Sequence, residues 1–412
     1  MSSYRTALAV PEFRAIFAAH VVSMAGVVTA NFALTVLVYS RTGSALLSSL
    51  VFTLVLAPHL IAGTLLSALI DRFPPRRLLV SCNLLSATLV TAISLSSSLP
   101  VAAVLVLAFT LGLIEPVFSG ARAATLPDVL PGDAYVSGRS LMRLVAQGAQ
   151  MGGFAVGGLL MAAFTPRVML LVNAGCFLFS AALLRFGTRK RVPDRDSGAA
   201  RPTSLLRDSL NGLGAVMKVP AVRRILFLGW AVPALGVVPE ALAVPYTDGL
   251  GGGTTAAGLL LTAIPLGTMT GEVLTNWLVP KDRQIRMIGP AALLVFAPML
   301  LFALRPGLVP AIVVLFVCGL GFSTQLGQDR LLLQVVPDEL RGRTLSLQMA
   351  GLMFWQGLGF AAGGAVAELF APHVVICAAA VSGLLVIVLL LRGALLRTEQ
   401  PGSRSEEGLV SG

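Results

Sequence analysis

The chain has 412 residues, of which 56% are hydrophobic and 12% charged, with 30 basic against 19 acidic residues and a mean hydropathy of +0.87. Soluble domains carry about 45–50% apolar and about 25% charged residues, so a soluble enzyme is excluded and the composition reads as a polytopic membrane protein. In such a protein the placement of the +11 net charge says more than its sum.

Apolar runs bounded by charge, Pro or Gly predict twelve spanning helices, each close to the ~20 residues that cross a hydrocarbon core. They fall at 14–39, 45–70, 78–98, 101–124, 141–164, 167–186, 222–247, 254–279, 287–304, 308–332, 344–370 and 373–392. The start, MSSYRTALAVPEFRAIFAAH, has no short apolar core followed by a small-residue cleavage site, so the first helix is expected to be retained. One long polar interval separates six spans from six. Within it PDRDSGAARP reads as a flexible linker, and Leu205, Leu206, Leu210, Leu213 and Met217 recur at helical spacing, as in a short helix lying on the membrane. The expected organisation is a six-helix half (1–187), a cytoplasmic linker with its surface helix (188–219), a second six-helix half (220–396) and a disordered cytoplasmic tail (397–412).

With the N-terminus on the cytoplasmic side, 27 of the 30 basic residues fall on cytoplasmic connections or termini, and only Arg41, Arg167 and Arg305 fall outside. The opposite orientation reverses that ratio, so both termini are expected in the cytoplasm. Arginine exceeds lysine by 27 to 3, which suggests GC-rich coding and a bacterial cell membrane. Cys82, Cys176, Cys318 and Cys377 stand singly in apolar segments, without a C-x-x-C pair, and read as small packing residues.

The halves repeat. Gly153-Phe154-Ala155-Val156-Gly157-Gly158 recurs as Gly359-Phe360-Ala361-Ala362-Gly363-Gly364, a shift of 206 residues. An even number of spans per half gives both copies one orientation, the parallel-repeat pattern of transporters. The fold expected is therefore an all-α membrane protein of twelve helices in two parallel six-helix repeats.

At this point the chain resembles the major facilitator superfamily. After the second span, Ser67-Ala68-Leu69-Ile70-Asp71-Arg72-Phe73-Pro74-Pro75-Arg76-Arg77 is similar to that family's loop signature, with Asp71, Arg72, Arg76 and Arg77 matching and two glycine positions departing as Ser67 and Pro75. Gly148-x3-Gly152-Gly153-Phe154-x2-Gly157-Gly158 resembles the glycine-rich motif of its drug/proton antiporters, with Phe154 where proline is usual. Tyr39-Ser40-Arg41-Thr42-Gly43-Ser44 and Val336-Pro337-Asp338-Glu339-Leu340-Arg341-Gly342-Arg343 resemble the subgroup of macrolide-efflux proteins and the enterobactin exporter. The resemblance implies alternating access, a gate at Asp71, Arg72, Arg76 and Arg77, and a central cavity lined by the first, fourth, seventh and tenth spans. Asp71 can pair with Arg122 or accept from the start of the eleventh span near Thr344, and the plainer reading is that these charges only fix topology.

Ionisable groups inside a bilayer are costly, by about 2.5–3.5 kcal/mol on insertion scales, and so are candidates for function. Glu115 and Glu272 fall toward the cytoplasmic side and Glu240 toward the outside, and these three are the proton-coupling candidates. Each also has a bland reading as a residue that satisfies a kink or a neighbour. Seven residues separate Glu115 from Arg122, which puts both on one helix face about 10 Å apart. His20, Asn31, Gln147, Gln150, Gln325, Trp230 and Trp355 are the substrate-cavity candidates, although for the tryptophans interfacial anchoring or ordinary packing is the favoured reading. Gly148-x3-Gly152 and Gly267-x3-Gly271 are small-xxx-small pairs expected to form a sliding seam between the halves.

No Walker lysine, H-E-x-x-H or nucleophile elbow is found. No enzyme activity, cofactor, metal or nucleic acid is expected; the partners expected are a small-molecule substrate, protons and the lipid bilayer, with the protein a monomer. The leading expectation is proton-driven efflux of a small amphipathic or drug-like molecule, such as an antibiotic, siderophore or secondary metabolite. An importer or facilitator of the same fold is the alternative, and a membrane-embedded sensor a more distant one.

Overall fold

The computed structural model describes residues 2–59, 73–95, 99–130, 133–190, 217–280, 283–336 and 341–395. Every regular element among them is a helix. The first half of the chain holds α1 (Ser2–Ala9), α2 (Pro11–Thr42), α3 (Ala45–Leu56), α4 (Pro75–Leu95), α5 (Val101–Val129), α6 (Asp133–Ala163) and α7 (Pro166–Gly187). The second half holds α8 (Pro220–Gly236), α9 (Val238–Ala241), α10 (Ala243–Gly249), α11 (Gly253–Leu278), α12 (Ile288–Phe296), α13 (Leu308–Gly321), α14 (Thr324–Val335), α15 (Arg341–Ala367) and α16 (Pro372–Leu395), with a 3-10 turn over Pro298–Leu304 after α12. Among the described residues nine helical segments are long and apolar enough to cross a membrane, and Ala45–Leu56 and Ile288–Leu304 are shorter apolar helices.

Several departures from the expected spans have local causes. The seventh span is three helices rather than one, because Pro233, Pro239 and Pro245 crowd it, and proline inside a helix removes a hydrogen bond and clashes with the carbonyl one turn back. The tenth span breaks at Phe322 and Ser323, whose N–H groups donate three residues back to Gly319 O (3.0 Å) and Leu320 O (3.3 Å), a tightening that ends α13. Helix α6 starts at Asp133 instead of 141, and α1 was not expected at all. The expected surface helix at 205–217 lies outside the described residues, apart from its last residue.

The buried apolar residues divide in a way that fixes the molecule's shape. One large cluster draws on both halves, with Phe32, Phe52 and Phe154 beside Phe296, Phe302 and Phe360. At the basic end the core splits into a first-half cluster around Phe13, Leu79, Leu130 and Leu184 and a second-half cluster around Val222, Leu226, Trp230 and Leu332. The halves are thus joined at one end and packed separately at the other. Large side chains such as Phe186 (85% exposed), Trp277 (86%) and Leu304 (78%) face outward, an apolar girdle that suits lipid and not water.

Two helix pairs carry most of the contact between the halves, α3 with α15 and α6 with α11, with α9 against α3 and α10 against α2 in a lesser part. In the second pair Gly158 meets Gly258, where a Cβ on Gly158 would fall 2.7 Å from Gly258 Cα, so only glycine permits the approach. In the first pair a Cβ on Gly364 would run into Ser49 Oγ and Ala45 O, and the Phe52 and Phe360 rings stack with centroids 4.8 Å apart. Gly158 and Gly364 are repeat partners, so one sequence motif builds both seams. Gly267 and Gly271 do otherwise than expected: they lie against Gly319 and Leu320 of α13, inside the second half. Gly148 faces open space, while Gly153 and Gly157 lie against Val28 and Phe32 of α2 in their own half.

Candidate functional site

The joined end is closed by polar contacts as well. Gly43, at φ 64°, ends α2 and donates its N–H to Tyr39 O at 2.7 Å, and Ser44 caps α3 by accepting from Leu47 N–H. The Glu368 carboxylate reaches this cap from the other half, accepting from Ser44 Oγ at 2.6 Å and from Leu46 N–H at 2.9 Å. These hydrogen bonds hold the Glu368 carboxyl below its usual range. Thr53 Oγ1 donates to Gly357 O (2.9 Å) deeper in the same seam, and Tyr39 and Asp248 face each other across the halves, with 3.5 Å between their oxygens.

Two cavities lie behind this closure. The larger, about 250 Å³, is in the second half and is lined by Glu240, Glu272, Thr268, Gln325 and Gln356 together with Phe322, Met269, Leu352 and Met353. The two breaks in the helices place its polar groups: Glu240 sits in the single turn of α9 between prolines, and Gln325 begins the first turn of α14 after the Phe322–Ser323 bend. Sequence reading sets Glu240 and Glu272 at opposite depths, and the fold brings both to the lining of one cavity. Gln356 and the methionines were missed because nothing in an apolar run marks which side chains face inward.

The smaller cavity, about 60 Å³, lies among α2, α3, α4, α5 and α7 of the first half, and the polar part of its lining is Glu115, Asn31, Asn83, Asn173, Ser23 and Ser86. Asn83 Nδ2 donates to Leu79 O at 3.1 Å. Asn83 and Asn173 were not among the candidates, though a single Asn inside an apolar span is a visible signal of a partner or ligand.

The remaining candidates have other surroundings. His20 is buried, its Nε2 lies 3.3 Å from Met142 O, and its Nδ1 meets the Arg122 guanidinium. Arg122 also lies over the Phe118 ring, 5.6 Å from its centroid. An Arg donating to Nδ1 leaves Nε2–H for the carbonyl, the arrangement of a neutral imidazole. Trp230 donates Nε1–H to Gln348 O (3.1 Å), whose amide in turn donates to Asp329 Oδ1 (2.9 Å), and Trp355 stands edge-on to Phe354; neither lines a described cavity. In the loop signature Arg76 donates to Arg185 O and Arg77 is exposed. Asp71 and Arg72 lie outside the described residues, as do the side chains of Gln147 and Gln150 and the surroundings of Gly152. Among the described residues no group of three or more His, Cys, Asp or Glu side chains is placed to hold a metal ion.

A family model described as Major Facilitator Superfamily matches residues 16–328, about three-quarters of the chain. The chain belongs to the Major Facilitator Superfamily. Two relatives from Bacillus subtilis (strain 168) fit that assignment: the uncharacterized MFS-type transporter YfiS, 24% identical over 346 residues and 81% of each chain, and the uncharacterized MFS-type transporter YjbB, 25% identical over 370 residues, 87% of this chain and 89% of the relative. Among solved structures, the nucleoside transporter NupG has a TM-score of 0.72 at 13% identity, covering 93% of this chain and 99% of its own. A bacterial homolog to the human lysosomal transporter Spinster, in an inward-facing and occupied conformation, has a TM-score of 0.70 at 13% identity, covering 98% and 99%. This facilitator-type protein is a multi-pass membrane transporter, and its likeness to the solved structures is one of fold.

Proposed function

We propose that the protein is a secondary active exporter that moves a small amphipathic or drug-like molecule, an antibiotic, siderophore or secondary metabolite, in exchange for protons. The observation that carries this reading is the second-half cavity, where two carboxylates and two amides share a wall with Phe322 and methionines between two broken helices. Such a lining accepts the apolar body of a ligand and still offers the charge that orients it. A carboxyl in a low-dielectric cavity also takes up and releases a proton as access alternates.

In this reading Asp133–Ala163, Ala45–Leu56 and Ile288–Leu304 also cross the bacterial cell membrane, giving twelve spans, with both termini and the 188–219 linker in the cytoplasm. The joined end then faces outward and the basic end opens to the cytoplasm, so the conformation is the one that loads cargo for export. Asp71, Arg72, Arg76, Arg77 and Arg122 form the cytoplasmic gate, and the protein acts as a monomer.

The test is substrate-induced proton movement in proteoliposomes, followed with a pH-sensitive dye across a panel of antibiotics and siderophores. Proton release that Glu240→Gln or Glu272→Gln abolishes supports antiport through the cavity. Substrate flux down its own gradient, with no proton signal in wild type or in Glu115→Gln, Glu240→Gln or Glu272→Gln, overturns it in favour of a facilitator. Flux requiring substrate on the opposite side makes the protein an importer.

A further inference from the structure

We propose that the first-half cavity is a binding site for a monovalent alkali cation of sodium's size, with Glu115 supplying the charge and Asn173, Asn31, Asn83 and Ser23 supplying neutral oxygens. Within a largely apolar lining, these residues bring one carboxylate, three amide oxygens and a hydroxyl from four different helices. Hard cations take such oxygens, carboxylate and amide carbonyl alike, and a single carboxylate suits one positive charge, whereas divalent sites usually gather several.

Asn173 is the observation that asks for a ligand. It is 1% exposed, lines the cavity, and neither its Nδ2 nor its Oδ1 has a hydrogen-bond partner among the described residues. Its amide fits only because Gly26 stands opposite, where any Cβ would collide with Nδ2. An orphaned buried amide is costly, so its retention beside a carboxylate calls for something bound between them. Asn83 commits its nitrogen to Leu79 O, which leaves its carbonyl oxygen to accept.

Arg122 acts on Glu115 electrostatically but makes no hydrogen bond to it: its guanidinium turns to His20 and the Phe118 ring, His20 spends its other nitrogen on Met142 O, and Cys82 brings only a thiol. Among the described residues no hydrogen bond reaches the Glu115 carboxylate. A proton alone would neutralise Glu115 and leave Asn173 unmet, a water alone would meet Asn173 and leave the charge uncompensated in a poor dielectric, and the two together are what an absence of sodium binding would indicate. A sodium ion answers both. The cavity, about 60 Å³, has room for an ion with one or two waters and none for a drug-sized molecule, which takes roughly 300 Å³ or more.

Equilibrium binding of radioactive sodium to the purified full-length protein at pH 8, with choline chloride holding ionic strength, tests the proposal. Saturable binding displaced by unlabelled sodium and not by choline is expected. Glu115→Gln and Asn173→Ala should each weaken it about tenfold or more, and Asn83→Ala should cause a smaller loss. Absence of saturable binding in wild type overturns the site, whatever the variants do, and so does binding that Glu115→Gln leaves intact. Potassium binding tighter than sodium overturns the stated size. Proton-driven substrate flux in the same preparation without sodium binding would sink this site and spare the exporter reading; sodium binding without any substrate flux would do the reverse.

Discussion

A carboxylate at the rim of a membrane protein does most when it meets backbone N–H groups that have no partner of their own. Glu368 meets one at the start of α3, together with the cap serine, so removing it should loosen the joined end without touching either half's core. Glu368→Ala is expected to cost about 1 kcal/mol, the usual worth of a helix cap, reduced in part by solvent, and so to shift the closed-to-open ratio up to about fivefold, read by labelling of a cysteine placed at Ser48. The carboxyl's folded value is depressed below 4.5, so its contribution is present above the unfolded value and fades as pH falls through the folded one. Acidifying the joined face below about pH 4.5 should therefore raise labelling in wild type and not in Glu368→Gln. Tyr39 and Asp248 stand nearby and belong to the same face. His20→Ala should act differently: it strips Arg122 of its buried partner, an expected cost of about 1–3 kcal/mol, seen as a lower Tm in detergent. At this scale the sequence was a partial guide. Glu115, Glu240, Asn31 and Gln325 could be picked out because a polar atom in an apolar run is conspicuous, but nothing in the chain announced that His20 would meet Arg122, 102 positions away.

Helices were legible as runs and not as paths. The bilayer demands about twenty apolar residues at a time, so composition alone located α2, α5, α7, α11 and α16 to within a few residues. Where a span breaks depends on which carbonyls a proline orphans and what repairs them, and so the seventh span was read as one piece although its three prolines were in view. The glycine motifs show the same limit: their spacing gives a close approach, and only the fold tells which neighbour approaches. Gly158 is expected to be intolerant, because a side chain there must displace Gly258 backbone across the halves. Gly158→Leu should cost about 1–3 kcal/mol of the closed form and abolish vectorial transport while leaving the protein folded by circular dichroism. Gly148→Ala, with nothing near its added methyl, should transport at the wild-type rate.

At the scale of the molecule, one shared core at the joined end and two separate cores at the basic end make a structure that can part without unfolding. Each half keeps its own apolar packing while the seams come and go. A disulfide across α3 and α15, made as Leu56→Cys with Gly357→Cys in a background lacking the native cysteines, should form readily, because a Cβ on Gly357 would stand 3.7 Å from Leu56 Cβ. It is expected to arrest turnover, with reductant restoring it; transport that continues in the crosslinked protein would mean the joined end does not open during the cycle.

The two seams also differ in what they hide from water. At Gly158 and Gly258 backbone meets backbone, whereas the other seam is made by the stacked Phe52 and Phe360 rings. Apolar burial weakens on cooling, so the aromatic seam loses its hold in the cold while the glycine seam hardly responds. The closed form should accordingly grow with warming over the physiological range, and a cold sample should yield at α3 and α15 first, making temperature a means of choosing which side of the molecule opens.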